Sequence, residues 1–166
     1  MILRGRRLVL RTMERADAAA VRVIAAEPEV ARWWGDVSEQ ELIEKAAGAG
    51  GVVALVAEVD DRVVGLVQFA EEPDPMYRHA TVDLFLSAAY HGGGLGREAV
   101  GLVVRHLIDD LGHHRITIDP AAANERAIRC YAAEGFRTVG VMRRYERGPD
   151  GSYHDGVLME LVADHQ

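Results

Sequence analysis

The chain has 166 residues, 49% of them hydrophobic, with 26 Asp and Glu against 19 Lys and Arg and a formal charge of -7. That length suits one compact domain over 1–166, and the composition argues against both disorder and a bilayer span. The acidic balance sets aside nucleic-acid binding, which needs a basic face, and fits either a cationic small-molecule partner or plain solubility charge.

The opening "MILRGRRLVLRTM" has charges but no long apolar run or small-residue cleavage site, so it does not read as a signal peptide. The single cysteine, Cys130, has no internal disulfide partner, and a reducing cytoplasm is the simplest location. Alternation in "RLVLRTM" predicts a strand. "RADAAAVRVIAAEPEV" predicts a helix with Asp17 as N-cap and Pro28 near its end. "SEQELIEKAAGAGG" predicts another, with Ser38 and Glu41 at capping-box spacing and glycines at its stop. "VVALVAEVDDRVVGLVQFAEE" reads as a hairpin turning at Asp60 and Asp61.

After a loop with Pro73 and Pro75, "HATVDLFLSAAY" predicts a strand, and 95–111 a helix closed by Gly112. "RITID" is a short strand ended by Pro120, and "NERAIRCYAAEGF" a helix capped by Asn124 and stopped at Gly135. Two last strands flank the turn "RGPDG". The fold class is therefore α+β, a mostly antiparallel sheet flanked by helices, with one parallel pair from the strand–helix–strand unit over 81–119.

"YHGGGLGREAV" places four glycines between a strand and a helix. Unpaired N–H groups at a helix N-terminus attract anions, and glycines allow a phosphate to reach the main chain, with Arg97 adding charge. A tight turn with no ligand is the alternative. Gly96 is followed by Arg97 and Glu98, which does not match a Walker loop, and the glycine spacing and strand position do not match a dinucleotide fingerprint.

"HGGGLG" resembles the Q/R-x-x-G-x-G/A pyrophosphate loop of the GNAT acyl-CoA-dependent N-acyltransferases, with His91 in the Gln/Arg place. The order of elements resembles that fold from end to end. "WWG", "DPAAANERAIRCYAAEGF" and the late "HDG" look like its aminoglycoside 6′-N-acetyltransferase branch. The resemblance implies acetyl-CoA as cofactor, held by Leu84, Phe85 and Leu86 on a splayed strand, by His91, Gly92, Gly93, Gly94, Leu95, Gly96 and Arg97, and by Asn124, Ala127 and Tyr131.

Asn124 and Tyr131 stand seven residues apart, two helical turns, so both face one side about 10 Å apart. By resemblance, Asn124 bonds the pantetheine arm and Tyr131 protonates the departing thiolate. A plain N-cap and a core aromatic are the alternative readings of the same pair. Cys130, mid-helix with no base near it in sequence, reads as a packed residue.

Asp83 sits among β-formers, on the face shared by Thr81, Phe85 and Ser87, and is a candidate ligand for an ammonium, with a solvent-face acid on a half-exposed sheet as the alternative reading. Asp119 ends the next strand and Asp155 lies on the last. The resemblance aligns all three with acids of an aminoglycoside pocket, with Asp83 as base, and Glu71 and Glu72 could extend it. Trp33 and Trp34, on a segment after a helix, are assigned one to packing and one to an aromatic wall. The histidines do not recur at metal-ligand spacing, and no metal is expected. If a bulge frees an amide between Leu84 and Leu86, it would stabilise the developing oxyanion.

The expected activity is acetyl transfer to the 6′-amine of an aminoglycoside by direct attack in a ternary complex. A hydroxylysine-type siderophore precursor or a protein N-terminus is the alternative acceptor, and a non-catalytic acyl-CoA sensor the alternative class. No membrane or nucleic-acid partner is expected, and an oligomer is compatible with the sequence.

Overall fold

The computed structural model describes residues 1–164, so the last two of the expected 1–166 domain lie outside the described residues. Eight β-strands build one sheet among the described residues. Its strands are β1 (Ile2–Arg4), β2 (Val9–Thr12), β3 (Val52–Val59), β4 (Arg62–Glu71), β5 (Ala80–Leu86), β6 (Arg115–Ile118), β7 (Arg137–Arg147) and β8 (Tyr153–Val162). They lie in the order β1-β2-β3-β4-β5-β6-β8-β7, all pairs antiparallel except β5–β6.

Both faces of the central strands are covered, while the edge strand β7 is largely exposed. Helices α1 (Ala18–Ala25), α2 (Pro28–Trp34) and α3 (Glu39–Ala46) pack on the side of Ala54, Val56, Leu66 and Phe85. Helices α4 (Leu95–Arg105) and α5 (Glu125–Glu134) pack on the side of Leu55, Val67, Val82 and Leu84. This double burial explains why β3 reads as a continuous apolar run rather than an alternating one.

The parallel pair positions the site. Strands β5 and β6 meet only at Ala80↔Ile116 and Thr81↔Thr117, then separate toward their carboxyl ends. Strand β6 stops at Ile118, two residues before Pro120, which has no N–H to continue a ladder. A cleft opens between the two strand ends.

Three local expectations change. The stretch expected as one helix is a 3-10 turn (Arg15–Asp17), then α1, then α2, with Pro28 opening α2 rather than closing its predecessor. At the first helical position the missing proline N–H is no loss, and the extended Glu27 (φ -59°, ψ 135°) forms the joint. Asp17 makes no cap bond to α1; its carboxylate takes both Arg11 Nη1 and Nη2 at 2.8 Å. Strand β1, only three residues long, had no sequence signal.

Candidate active site

Strand β5 leads through one 3-10 turn (Ala88–Tyr90) and the glycine loop into α4. Gly92 (φ +81°) and Gly94 (φ +85°) take left-handed conformations that a side chain disfavours. A β-carbon on Gly92 or Gly93 would meet nothing within 4 Å, so the space over the loop is open. Gly94 caps α4 without a side-chain bond, which leaves the first-turn N–H groups aimed outward. The loop is tied from behind. Arg7 Nη1 donates to the Gly93 carbonyl at 2.6 Å, and Glu98 accepts from the Arg7 amide at 2.8 Å and Arg7 Nε at 3.0 Å.

His91 points elsewhere than at a phosphate. Its Nε2 lies 2.8 Å from the Leu86 carbonyl, which only accepts, so the ring donates there and straps the loop to the end of β5. The loop, the end of β5 and α5 enclose a chamber of about 360 Å³ bordered by Leu84, Phe85, Leu86, Asn124, Ala127 and Tyr131, with Arg97, Arg126 and Arg129 adding positive charge. Asn124 is both cap and wall: its Oδ1 accepts the Ala127 N–H at 3.3 Å.

No bulge interrupts β5. Its ladder with β4 runs without a break from Ala80 to Leu86, and the bulge lies in β4 at Val64, against β3. Gly65, next to it, lets β4 close on β5, since a β-carbon there would overlap the Phe85 carbonyl oxygen. The Ser87 amide donates to the Val64 carbonyl, so by alternation the odd residues of β5 bond to β4. Leu84 and Leu86 then turn their amides to the cleft. Strand separation, not a bulge, releases the Leu86 amide, while the Leu84 amide is taken by the Asp83 carboxylate.

A second cavity of about 630 Å³ opens on the other side of the strand gap, walled by Lys45, Gln68, Asp83, Asp119, Glu146 and Arg147. It shares Trp33, Trp34, Leu84, Asn124, Ala127 and Tyr131 with the first chamber, so the two meet through the splayed sheet. Burial pushes the Asp83 carboxyl up to about 7, helped by the Asp119 and Glu146 carboxylates and opposed by the Leu84 N–H, which donates to Asp83 Oδ1 at 3.0 Å, and by Lys45. Burial, and then the Asp83 carboxylate, hold the Tyr131 phenol well above its ordinary value. Tyr145 donates to Asp119 Oδ2 at 2.7 Å, and that bond lifts its phenol to about 12.

A chamber lined by open loop amides, joined to an acidic trough through a parted parallel pair, describes an acyl-transfer site, and sequence comparison decides the family. Residues 7–137 match the family described as acetyltransferase (GNAT) domain. This chain belongs to the GNAT acetyltransferase family. Aminoglycoside N(6′)-acetyltransferase type 1 of Klebsiella pneumoniae is 30% identical over 164 residues, covering 87% of this chain and 79% of the relative. Among solved structures, aminoglycoside acetyltransferase AAC(6′)-Ib in complex with coenzyme A and kanamycin superposes with a TM-score of 0.77 at 26% identity, covering 93% of this chain and 94% of that one. Ribosomal-protein-S5-alanine acetyltransferase from Vibrio fischeri reaches a TM-score of 0.85 at 18% identity over 99% and 97% of the two chains, a likeness of fold alone.

In this GNAT acetyltransferase the cleft gathers Asp83, Asp119, Trp33, Trp34, Asn124, Ala127 and Tyr131 with the glycine loop. Both tryptophans stand in the last turn of α2 rather than on a connector, and both border both cavities; Trp34 also packs edge-on against Phe85 at 4.9 Å. Gly93 and Leu95 sit behind the chamber, the first bonded to Arg7, the second in the core.

The structure does not bring Glu71 and Glu72 to the cleft. Asp83 lies opposite Gln68, and Glu71, three residues on, falls on the other face of β4 with Oε2 2.6 Å from His113 Nε2. Glu72 lies past the strand end and accepts the Asp74 amide at 3.0 Å. Asp155 is not in the trough wall either; its Oδ1 accepts the Arg144 amide at 2.8 Å. That bond secures a bulge in β7, where Met142 opposes Gly156 and Glu146 opposes His154, with Arg144 at φ +52°. The bulge re-aims Tyr145 and Glu146 into the trough.

Sequence reasoning passed over Gln68, Lys45, Tyr145 and Glu146. Gln68 had a signal, a polar residue between Val67 and Phe69 in an apolar strand. Its Oε1 is buried with no hydrogen-bond partner among the described residues.

Proposed function

We propose that this chain transfers the acetyl group of acetyl-CoA to a primary amine of a polycationic small molecule, the 6′-amine of an aminoglycoside, in a ternary complex. One observation carries the reading: the amide-lined chamber and the three-carboxylate trough meet at Leu84 and Tyr131, beside Asp83.

The residues present fit coenzyme A. Open space over Gly92, the α4 N-terminus and the three arginines suit a diphosphate. The outward amide of Leu86, with Asn124 across the chamber, suits the amide-bearing pantetheine arm. When bound, acetyl-CoA supplies an acyl carbon activated as a thioester.

Asp83 takes the proton that the ammonium must lose. An alkylammonium near pKa 10 is about six pH units above an ordinary Asp; lifting the carboxyl to about 7 removes about 4 kcal/mol from that uphill transfer. Asp119 and Glu146 hold further ammonium groups, and the Gln68 Oε1 accepts from one of them. Tyr131, kept protonated, donates to the leaving sulfur. The Leu86 amide faces the oxygen that gains charge. We place the enzyme in the cytoplasm, in keeping with the lone Cys130, and treat 1–166 as one domain.

Several carboxylates suit several ammonium groups, whereas a peptide N-terminus or a siderophore precursor offers fewer. Thiol release from acetyl-CoA, measured against kanamycin, a hydroxylysine-type precursor and an N-terminal peptide, tests this. The highest kcat/KM is expected for kanamycin. A preference for the peptide would reject the polycation reading, and binding of coenzyme A without release on any amine would make the chain a sensor.

A further inference from the structure

Lys45 is the only lysine in the chain; the other 18 of the 19 basic residues are arginines. Arginine does not deprotonate in proteins and is no acceptor for an acyl group. The lone lysine stands on α3, and it borders the trough together with Asp83, Asp119 and Glu146. Its side chain is only 19% exposed, with Nζ 3.7 Å from Glu41 Oε1 and 5.6 Å from the centroid of Trp34. Trp34 borders both cavities and packs on Phe85, the residue between the two β5 amides that face the cleft. The other amine, at Met1, donates to Thr12 Oγ1 at 2.9 Å on the far edge of the sheet, four strands from β5.

We propose that Lys45 is an intramolecular acceptor: this site acetylates its own lysine when no amine substrate occupies the trough. The inference rests on the acetyl-CoA reading above. Among the described residues, Lys45 and Arg147 are the cations in the trough wall, and of these Lys45 carries a nucleophilic amine on a flexible four-carbon stem.

The step balances. The Lys45 ammonium gives one proton to the Asp83 carboxylate, and its lone pair forms a C–N bond to the acyl carbon of the thioester. The C–S bond breaks with its electron pair on sulfur. The second proton lost by nitrogen ends on that sulfur through the Tyr131 hydroxyl, so the thiol departs neutral and Lys45 becomes an N-acetyl amide. The trough changes from three carboxylates against Lys45 and Arg147 to three against Arg147 alone. A polycation then meets a more negative wall, and its KM falls.

The test incubates the full chain with acetyl-CoA labelled in the acetyl group, without amine, and maps the label by mass spectrometry of the Lys45 peptide. Amine-dependent thiol release is measured in parallel. One acetyl group at Lys45 is expected, at a rate independent of protein concentration, at least tenfold slower in Asp83→Asn and in urea-unfolded chain, and no label in Lys45→Arg. Amine turnover with Lys45 unlabelled would overturn this proposal and leave the function standing. Equal labelling of the unfolded chain or of Asp83→Asn would reduce it to solution chemistry and overturn it too. Neither label nor thiol release with any amine would remove both readings.

Discussion

Asp83→Asn separates stability from catalysis at one atom. The Asp83 carboxyl rises from an ordinary 3.8 to about 7 because burial and the Asp119 carboxylate oppose its charge. In the unfolded chain the group ionises near 3.8, so the folded state binds the extra proton between the two values and loses stability as pH climbs through that window. At pH 8.5 the full displacement acts, and the charged carboxylate costs the fold about 4 kcal/mol. At pH 5.5 the folded carboxyl is still neutral while the unfolded one is ionised, and the cost is about 2 kcal/mol. Asparagine carries no charge at either pH. Any constant penalty from the substitution, such as a weaker bond to the Leu84 amide, cancels in the difference. Urea unfolding at both pH values should therefore show the variant gaining about 2 kcal/mol more over wild type at pH 8.5 than at pH 5.5. The same variant should lose most turnover while coenzyme A still binds by calorimetry. An equal stability difference at both pH values would refute the burial argument, and unchanged turnover would remove the base assignment.

The other consequences can be checked separately. Wild-type kcat/KM should rise about tenfold per pH unit below 7 and flatten above it, since the proton acceptor must be ionised; a limb centred near 4 would point to a different carboxylate. Tyr131→Phe should lower kcat by about 100-fold with KM for acetyl-CoA within about twofold, whereas equal losses in binding and turnover would leave Tyr131 a packing role. Gly94→Val places a branched side chain at φ +85° with its β-carbon 3.2 Å from Arg7 Nη2, and coenzyme A affinity should drop at least about tenfold; wild-type affinity would undo the loop reading. Gln68→Leu should raise KM for a polyamine and leave KM for acetyl-CoA unmoved, and the reverse pattern would take Gln68 out of the trough's chemistry.

What the sequence showed plainly was whatever a few consecutive residues decide. Helix α5 announces itself: Asn124 accepts from the third helical amide, Gly135 ends the helix at φ +114°, and the seven-residue step from Asn124 to Tyr131 turns both to one chamber. The glycine loop is equally local, because only glycine tolerates φ values of +81° and +85° at Gly92 and Gly94 without strain. The acidic hairpin turn is local as well, with Asp60 and Asp61 both at positive φ, the geometry that suits the twist of two strands. Even the face of Asp83 follows from alternation. Pro28 defeats the same logic, since a proline both ends one helix and opens the next, and only tertiary packing tells which.

The far wall of the trough was hidden because register and bulges are long-range properties. Glu71 and Gln68 sit on one strand, and which of them faces the cleft depends on how 72–79 returns the chain to pair with β4. That return sets Asp83 against Gln68 and sends Glu71 to His113 on the opposite face. Asp155 looks like a pocket acid by composition, yet its carboxylate is consumed by the Arg144 amide, and through that bond it delivers two other residues, Tyr145 and Glu146, to the place it was expected to fill. The acidity of the trough thus survives the misplacement of three of its expected carboxylates. Burial first, and then Asp119 and Glu146, raise the Asp83 carboxyl toward neutrality, and Tyr145, bonded to Asp119, holds one of those two carboxylates in place. The β7 bulge adds to the burial that raises the Asp83 carboxyl, because it brings Glu146 to the trough, so straightening that strand should lower the Asp83 pKa by the Glu146 share alone.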